Sequence, residues 1–143
     1  MGPDLVYRFS SRAASTTLQV KSLSPIALAY VGDAVYELYI RTQLLWPPQR
    51  PQAYHNAVVG QVRAEQQAAY LGQLQPFLSE LEQDMVRRGR NAAPKRQRRV
   101  NADLYQQATS FETLIGYLYL TDQPRLFELL GQLGITPHSA GVI

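Results

Sequence analysis

The stretch IALAYVGDAVYELYIR, residues 26 to 41, leaves little freedom to the rest of the chain. Its apolar side chains Ile26, Ala29, Tyr30, Ala34, Val35, Leu38 and Tyr39 recur at helical spacing, which predicts a mostly buried helix. On that helix Asp33 and Glu37, four positions apart, share a face, and they are the only acidic residues between Asp4 and Glu65. A carboxylate beside a core stripe needs hydrogen bonds, a cationic partner or a metal ion, because an unpaired buried charge is costly. Something positive is therefore expected to meet this helix.

Composition narrows what that can be. The chain has no cysteine and two histidines, His55 and His138, which excludes disulfides and thiolate sites and disfavours imidazole-rich ones. A metal here would be held by oxygens, which favours magnesium or manganese. No window approaches the roughly 18 uncharged apolar residues of a membrane span. With 143 residues, 45% of them hydrophobic, the chain reads as one soluble, cytoplasmic domain around one core.

Residues 1 to 21 read as a loosely ordered tail, 22 to 133 as the folded domain, and 134 to 143 as a second tail. Ser24 followed by Pro25 predicts an N-cap and a first helical residue, and Trp46-Pro47-Pro48 stops that helix near Leu45. A second helix is expected from about Gln52 to Leu71, burying Tyr54, Ala57, Val58, Val62, Ala68, Ala69 and Leu71, with Gly72 as its cap. His55 near its start reads as structural or solvent-facing, and Arg63 and Glu65 as solvated. A third helix is expected from Pro76, with Phe77, Leu78, Leu81, Met85 and Val86 as its apolar face. A fourth runs from an Asn101 cap to about Leu120, burying Tyr105, Ala108, Phe111, Leu114, Ile115, Leu118 and Tyr119. The last spans about 124 to 133, with Leu126, Phe127, Leu129, Leu130 and Leu133 inside. No strand signature interrupts the series, so the expected fold is all-α with five to seven helices.

Between the third and fourth helices lies an unbalanced charge run. Arg87, Arg88, Arg90, Lys95, Arg96, Arg98 and Arg99 are half of the chain's 14 lysines and arginines, with no acid between Asp84 and Asp103. Gly89, Asn91 and Pro94 argue against a continuous helix across it. A basic, flexible loop suits a phosphate backbone, and nucleic acid is the expected partner.

Glu112 is the only acid in SFETLIGYLYL and leaves its helix among Ala108, Thr109, Ile115 and Gly116. It is the second carboxylate that asks for a partner. Two such acids on two core helices, with a phosphate-seeking loop, suit metal-assisted phosphodiester hydrolysis. A buried ion pair with arginine would satisfy each acid equally well.

The motifs separate these readings. YVGDAVYELYIR resembles the signature helix of the ribonuclease III family, and ATSFETLIGYLYL resembles that family's second motif, in the right order and roughly 80 residues apart. RRGRNA before the basic loop, the FETLIGYLYL ending and a length that one catalytic domain fills are similar to the Mini-ribonuclease III subgroup, which lacks a separate double-stranded-RNA-binding domain. The resemblance covers roughly residues 22 to 133. It implies a magnesium-dependent endoribonuclease, with manganese as a substitute, that cuts double-stranded RNA to leave 5′-phosphate and 3′-hydroxyl ends. It further implies a symmetric homodimer, and the base-paired stem of the 23S ribosomal RNA precursor as substrate. By position, Asp33 and Glu112 match the catalytic, metal-binding acids. The full-length family carries further acids where this chain has Ile26, Ala29 and Thr109, so the implied metal shell is thin. Those missing acids support one alternative, a non-catalytic RNA-binding or ribosome-associated protein. A nucleotide pyrophosphohydrolase is the less favoured option, since no Glu-x-x-Glu cluster is present. Tyr30 and Val31 are candidates for the dimer seam.

Overall fold

A computed structural model of the protein describes residues 17–94 and 102–136. These residues form α1 (Thr17–Lys21), α2 (Pro25–Gln43), α3 (Pro51–Val62), α4 (Ala64–Leu74), α5 (Glu80–Ala92), α6 (Ala102–Thr121) and α7 (Gln123–Gln132). A short 3-10 turn, Gln75–Phe77, precedes α5. Among the described residues there is no strand, as the sequence predicts, and no helix is long and apolar enough to cross a membrane.

The core is built on α6. Ala108, Phe111, Leu114, Ile115 and Leu118 are all buried, as are Thr113 and Tyr117 between them. A helix buried on all sides must be surrounded, and α2, α4 and α5 pack around it. Tyr36 of α2 meets Phe111 edge-to-face with ring centroids 5.0 Å apart. The Tyr36 hydroxyl donates to the Gln61 carbonyl at 2.7 Å, and Tyr70 donates to Gln61 Oε1 at 2.5 Å, so α2, α3 and α4 share one buried polar joint.

The helix starts follow local chemistry. Ser24 Oγ accepts from the Ala27 N–H at 3.1 Å, with Pro25 at the first turn of α2. Ser79 and Glu82 close a reciprocal capping box at α5. Asp122 caps α7 through the Arg125 N–H. Glu82 does a second task. Its oxygens accept from Arg125 Nε at 2.8 Å and Nη2 at 2.9 Å, while Nη2 also reaches the Phe77 carbonyl at 2.6 Å. This pins α7 to the turn before α5.

Several expectations need correction. The end of the supposed tail is α1, whose Val20 is 1% exposed, and the rest of it, residues 1–16, lies outside the described residues. The second helix is two, because Arg63 adopts an extended ψ of 160° between α3 and α4. The chain then runs helically through Gly72 to Leu74, and Ala69 faces solvent. The third helix starts after Ser79, and Phe77 and Leu81 are exposed. Gly89 does not break α5. It is buried where a Cβ would lie 2.5 Å from Thr113 Oγ1, so the glycine permits close packing on α6. The Asn101 cap falls outside the described residues. Phe127 is exposed.

The largest correction concerns α2. Tyr30 is 83% and Leu38 67% exposed, and Ile26 is exposed too, whereas Leu28, Ala29, Gly32, Tyr36 and Ile40 are buried. The helix is apolar on two faces, and periodicity alone cannot say which one meets α6. Close backbone approach decides it, since only the Gly32 side lets the two helices touch.

Candidate active site

A Cβ on Gly32 would lie 1.8 Å from the Glu112 carbonyl oxygen, and one on Gly116 would lie 1.9 Å from that of Leu28. The two glycines therefore let α2 and α6 cross backbone to backbone. Asp33 follows Gly32 directly, and Glu112 stands one helical turn before Gly116. The crossing brings their carboxyl groups within hydrogen-bonding reach, although 79 positions separate them in the chain.

Among the described residues, no cationic side chain stands between these two acids. Glu112 is half-buried, and the groups that govern its protonation are Asp33 and Gln67. Burial first, then the Asp33 charge and the hydrogen bond between the carboxyl groups, push Glu112 up to about 8, with the Gln67 amide opposing them. Without a cation, Glu112 thus holds a proton at neutral pH.

Gln67 enters from α4 and is 2% exposed. Its Nε2 donates to the Val62 carbonyl at 2.8 Å, across the break at Arg63 that turns α4 toward the site. Its Oε1 is buried without a hydrogen-bond partner. The sequence reading missed Gln67, although Gln67, Ala68, Leu71 and Leu74 mark one helical face of α4.

The donors fit a hard divalent cation. Two facing carboxylates and an orphaned amide oxygen are all-oxygen ligands, and among the described residues no cluster of three His, Cys, Asp or Glu exists. Magnesium suits such a site because it keeps several waters and binds through one or two carboxylates. Asp33 and Glu112 would hold it. Glu37 is not available, since it pairs with Arg41 one turn along α2. Thr109, where the larger enzymes have an acid, donates its hydroxyl to the Tyr105 carbonyl at 3.0 Å.

Beside Asp33 an apolar cleft of about 680 Å³ runs along Tyr30, Val31, Val35, Leu38, Tyr119 and Phe127. Of the basic run, Arg87, Arg88 and Arg90 belong to α5 and not to a loop, while Lys95, Arg96, Arg98 and Arg99 lie outside the described residues. Arg87 is exposed and pairs with Asp84 at 2.5 Å, and Arg90 lies 3.7 Å from Asp103. Arg88 donates to the Lys21 carbonyl at 3.2 Å, tying α5 to α1.

The geometry agrees with the family comparisons. The Ribonuclease III domain model matches residues 26–123. Mini-ribonuclease 3 of Synechocystis is 60% identical over 111 residues, spanning 78% of each chain. Mini-ribonuclease 3 of Thermoanaerobacter is 45% identical over 73% of this chain and 75% of the relative. A crystal structure of a Fusobacterium nucleatum protein shares the fold at 24% identity and a TM-score of 0.68, covering 80% of this chain and 92% of its own. A family match over most of the chain, and relatives of this similarity over three quarters of their length, leave one conclusion: the chain belongs to the ribonuclease III family, in its Mini-ribonuclease 3 group, and is an endoribonuclease.

Proposed function

We propose that this chain, through a catalytic domain spanning residues 22 to 133, is a magnesium-dependent endoribonuclease for double-stranded RNA, with Asp33 and Glu112 as its catalytic, cation-holding residues. The observation that carries this reading is the meeting of the two carboxyl groups across the α2–α6 crossing, with no cationic side chain among the described residues to neutralise them. An ion pair would serve stability alone. Two facing acids, one of which keeps its proton until a cation arrives, serve a divalent cation, which when bound activates a water and stabilises charge on the scissile phosphate. Manganese, with the same oxygen preference, substitutes.

The chain's own residues supply position. Gly32 and Gly116 fix the separation of the two helices, so Asp33 and Glu112 meet without a flexible segment between them. The departing 3′-oxygen leaves a 3′-hydroxyl, and the water's oxygen stays on the 5′-phosphate.

A second copy of the chain covers the apolar cleft. Its exposed Tyr30 and Leu38 adjoin Asp33, and an unpartnered apolar face of this kind marks an interface. A two-fold arrangement of α2 against α2 sets two sites on one RNA-binding surface. Arg87, Arg88 and Arg90, with Lys95, Arg96, Arg98 and Arg99, supply phosphate contacts, Arg87 being the most open of the described three. A-form RNA is read by shape and backbone, which such a surface can do without a further domain. The proposed substrate is the stem flanking 23S ribosomal RNA, in the cytoplasm.

Cleavage of an end-labelled RNA duplex, with magnesium and with a chelator, tests the reading. Magnesium-dependent staggered cuts carrying 5′-phosphates support it. Undiminished cleavage in the chelator would overturn it.

A further inference from the structure

Gln67 is a buried polar residue whose hydrogen bonds the fold does not complete. At 2% exposure its amide nitrogen serves the Val62 carbonyl and the side chain meets the Glu112 carboxyl group, yet its carbonyl oxygen has no partner. An orphaned buried carbonyl costs about 1–3 kcal/mol, and folded proteins keep few of them. Leucine or methionine would fill the same space beside Ala68 and Leu71 without that cost. A glutamine retained there, next to two acids with no cationic partner among the described residues, points to a ligand that donates hydrogen bonds.

The water shell of a hard cation is such a ligand. Magnesium gives up its waters reluctantly, and side chains behind the direct ligands commonly orient that shell. An amide also has the right charge. Two carboxylates already match a divalent ion, and a third acid would add repulsion that a neutral oxygen avoids.

We propose that Gln67 completes the Asp33–Glu112 cation site as a positioning residue: its N–H holds the Glu112 carboxylate, and its unpaired carbonyl oxygen accepts a hydrogen bond from a cation-bound water. The inference rests on the cation site proposed above and names the group that finishes it.

The test is a titration of the RNA-free full chain with manganese, read by electron paramagnetic resonance of the free ion. Wild type, Glu112→Gln, Gln67→Met and Gln67→Glu are compared. Wild type binds and Glu112→Gln does not. Gln67→Met, which keeps the length but neither hydrogen-bonding atom, weakens binding on the order of tenfold. Gln67→Glu keeps an acceptor oxygen in place and binds more tightly than Gln67→Met. Wild-type affinity in Gln67→Met overturns the proposal. Equal losses in Met and Glu also overturn it, because they leave the carbonyl oxygen no role and only the N–H contacts to Val62 and Glu112. If Gln67→Met does not fold, Gln67→Glu decides alone: retained affinity supports the proposal and a tenfold loss contradicts it. Absence of binding by the wild type, or undiminished binding by Glu112→Gln, removes the cation site itself and is distinct from both.

Discussion

Glu82 at the start of α5 and Glu112 in the middle of α6 both give up water, but they meet different neighbours. Glu82 is 5% exposed and receives two guanidinium hydrogen bonds from Arg125, helped by its own capping contacts, which hold its carboxyl below the usual range despite burial. Glu112 meets another acid and an amide, and its carboxyl is pushed the other way. One core thus contains both solutions open to a buried carboxylate. The paired acid is part of the scaffold. The other meets no cationic side chain among the described residues and keeps its proton instead, which makes burial without a charged partner more informative about function than burial itself.

The comparison is broken most sharply by exchanging the roles. Glu112→Gln or Asp33→Asn should lower the cleavage rate on the order of 10³-fold, since several kcal/mol of cation-supplied stabilisation is lost. Glu82→Gln should leave the rate per folded molecule unchanged, and single-turnover cleavage assays at one temperature compare them directly. Wild-type rates in the first pair would dissolve the distinction.

Gly32→Ala attacks the crossing that makes the acid pair. Its Cβ lands on backbone that cannot move aside, so we expect a loss of about 3 kcal/mol in denaturant unfolding. Arg125→Met should cost about 2 kcal/mol by leaving Glu82 buried and unpaired, a figure reduced because the guanidinium is partly open to water. Its activity below the melting point should match wild type.

Glu112→Gln should have the reverse effect on stability in the absence of divalent cations. Between about 4.5 and about 8 the folded chain keeps a proton on Glu112 that the unfolded chain has released, so unfolding free energy falls as pH rises through that window. Glutamine has nothing to ionise. The variant should melt a few degrees above wild type at pH 8 and level with it at pH 5. Equal melting temperatures at both would mean that the pair carries no strain. The smallest expected effect is at the surface, where charge removal at Arg87 and Arg90 should reduce the log–log salt slope of RNA binding by about 1 to 2. An unchanged slope would place the phosphate contacts elsewhere.

Much of this was legible in the residues. Glu112 stands out as a lone acid in an apolar helical run and Asp33 as one of only two acids on α2, and Ser24-Pro25 announces the start of α2 by local chemistry. What escaped the sequence depends on tertiary contact. No proline or glycine marks the break at Arg63, and Gly89 looks like a helix breaker although it is a contact point with Thr113. The exposed stripe of α2 looks like core in the sequence because apolar spacing is the same whether a face meets this chain or another. Gln67 is hidden for a related reason: the face it shares with Ala68, Leu71 and Leu74 identifies it only once the inward side of α4 is known.

The most direct test of the central claim is a pH titration of the Glu112 carboxyl carbon by nuclear magnetic resonance, first free of divalent cations and then with saturating magnesium. The expected midpoint lies near 8 without the cation and below the ordinary carboxylate range with it. A midpoint near 4.5 that magnesium leaves unmoved would contradict it.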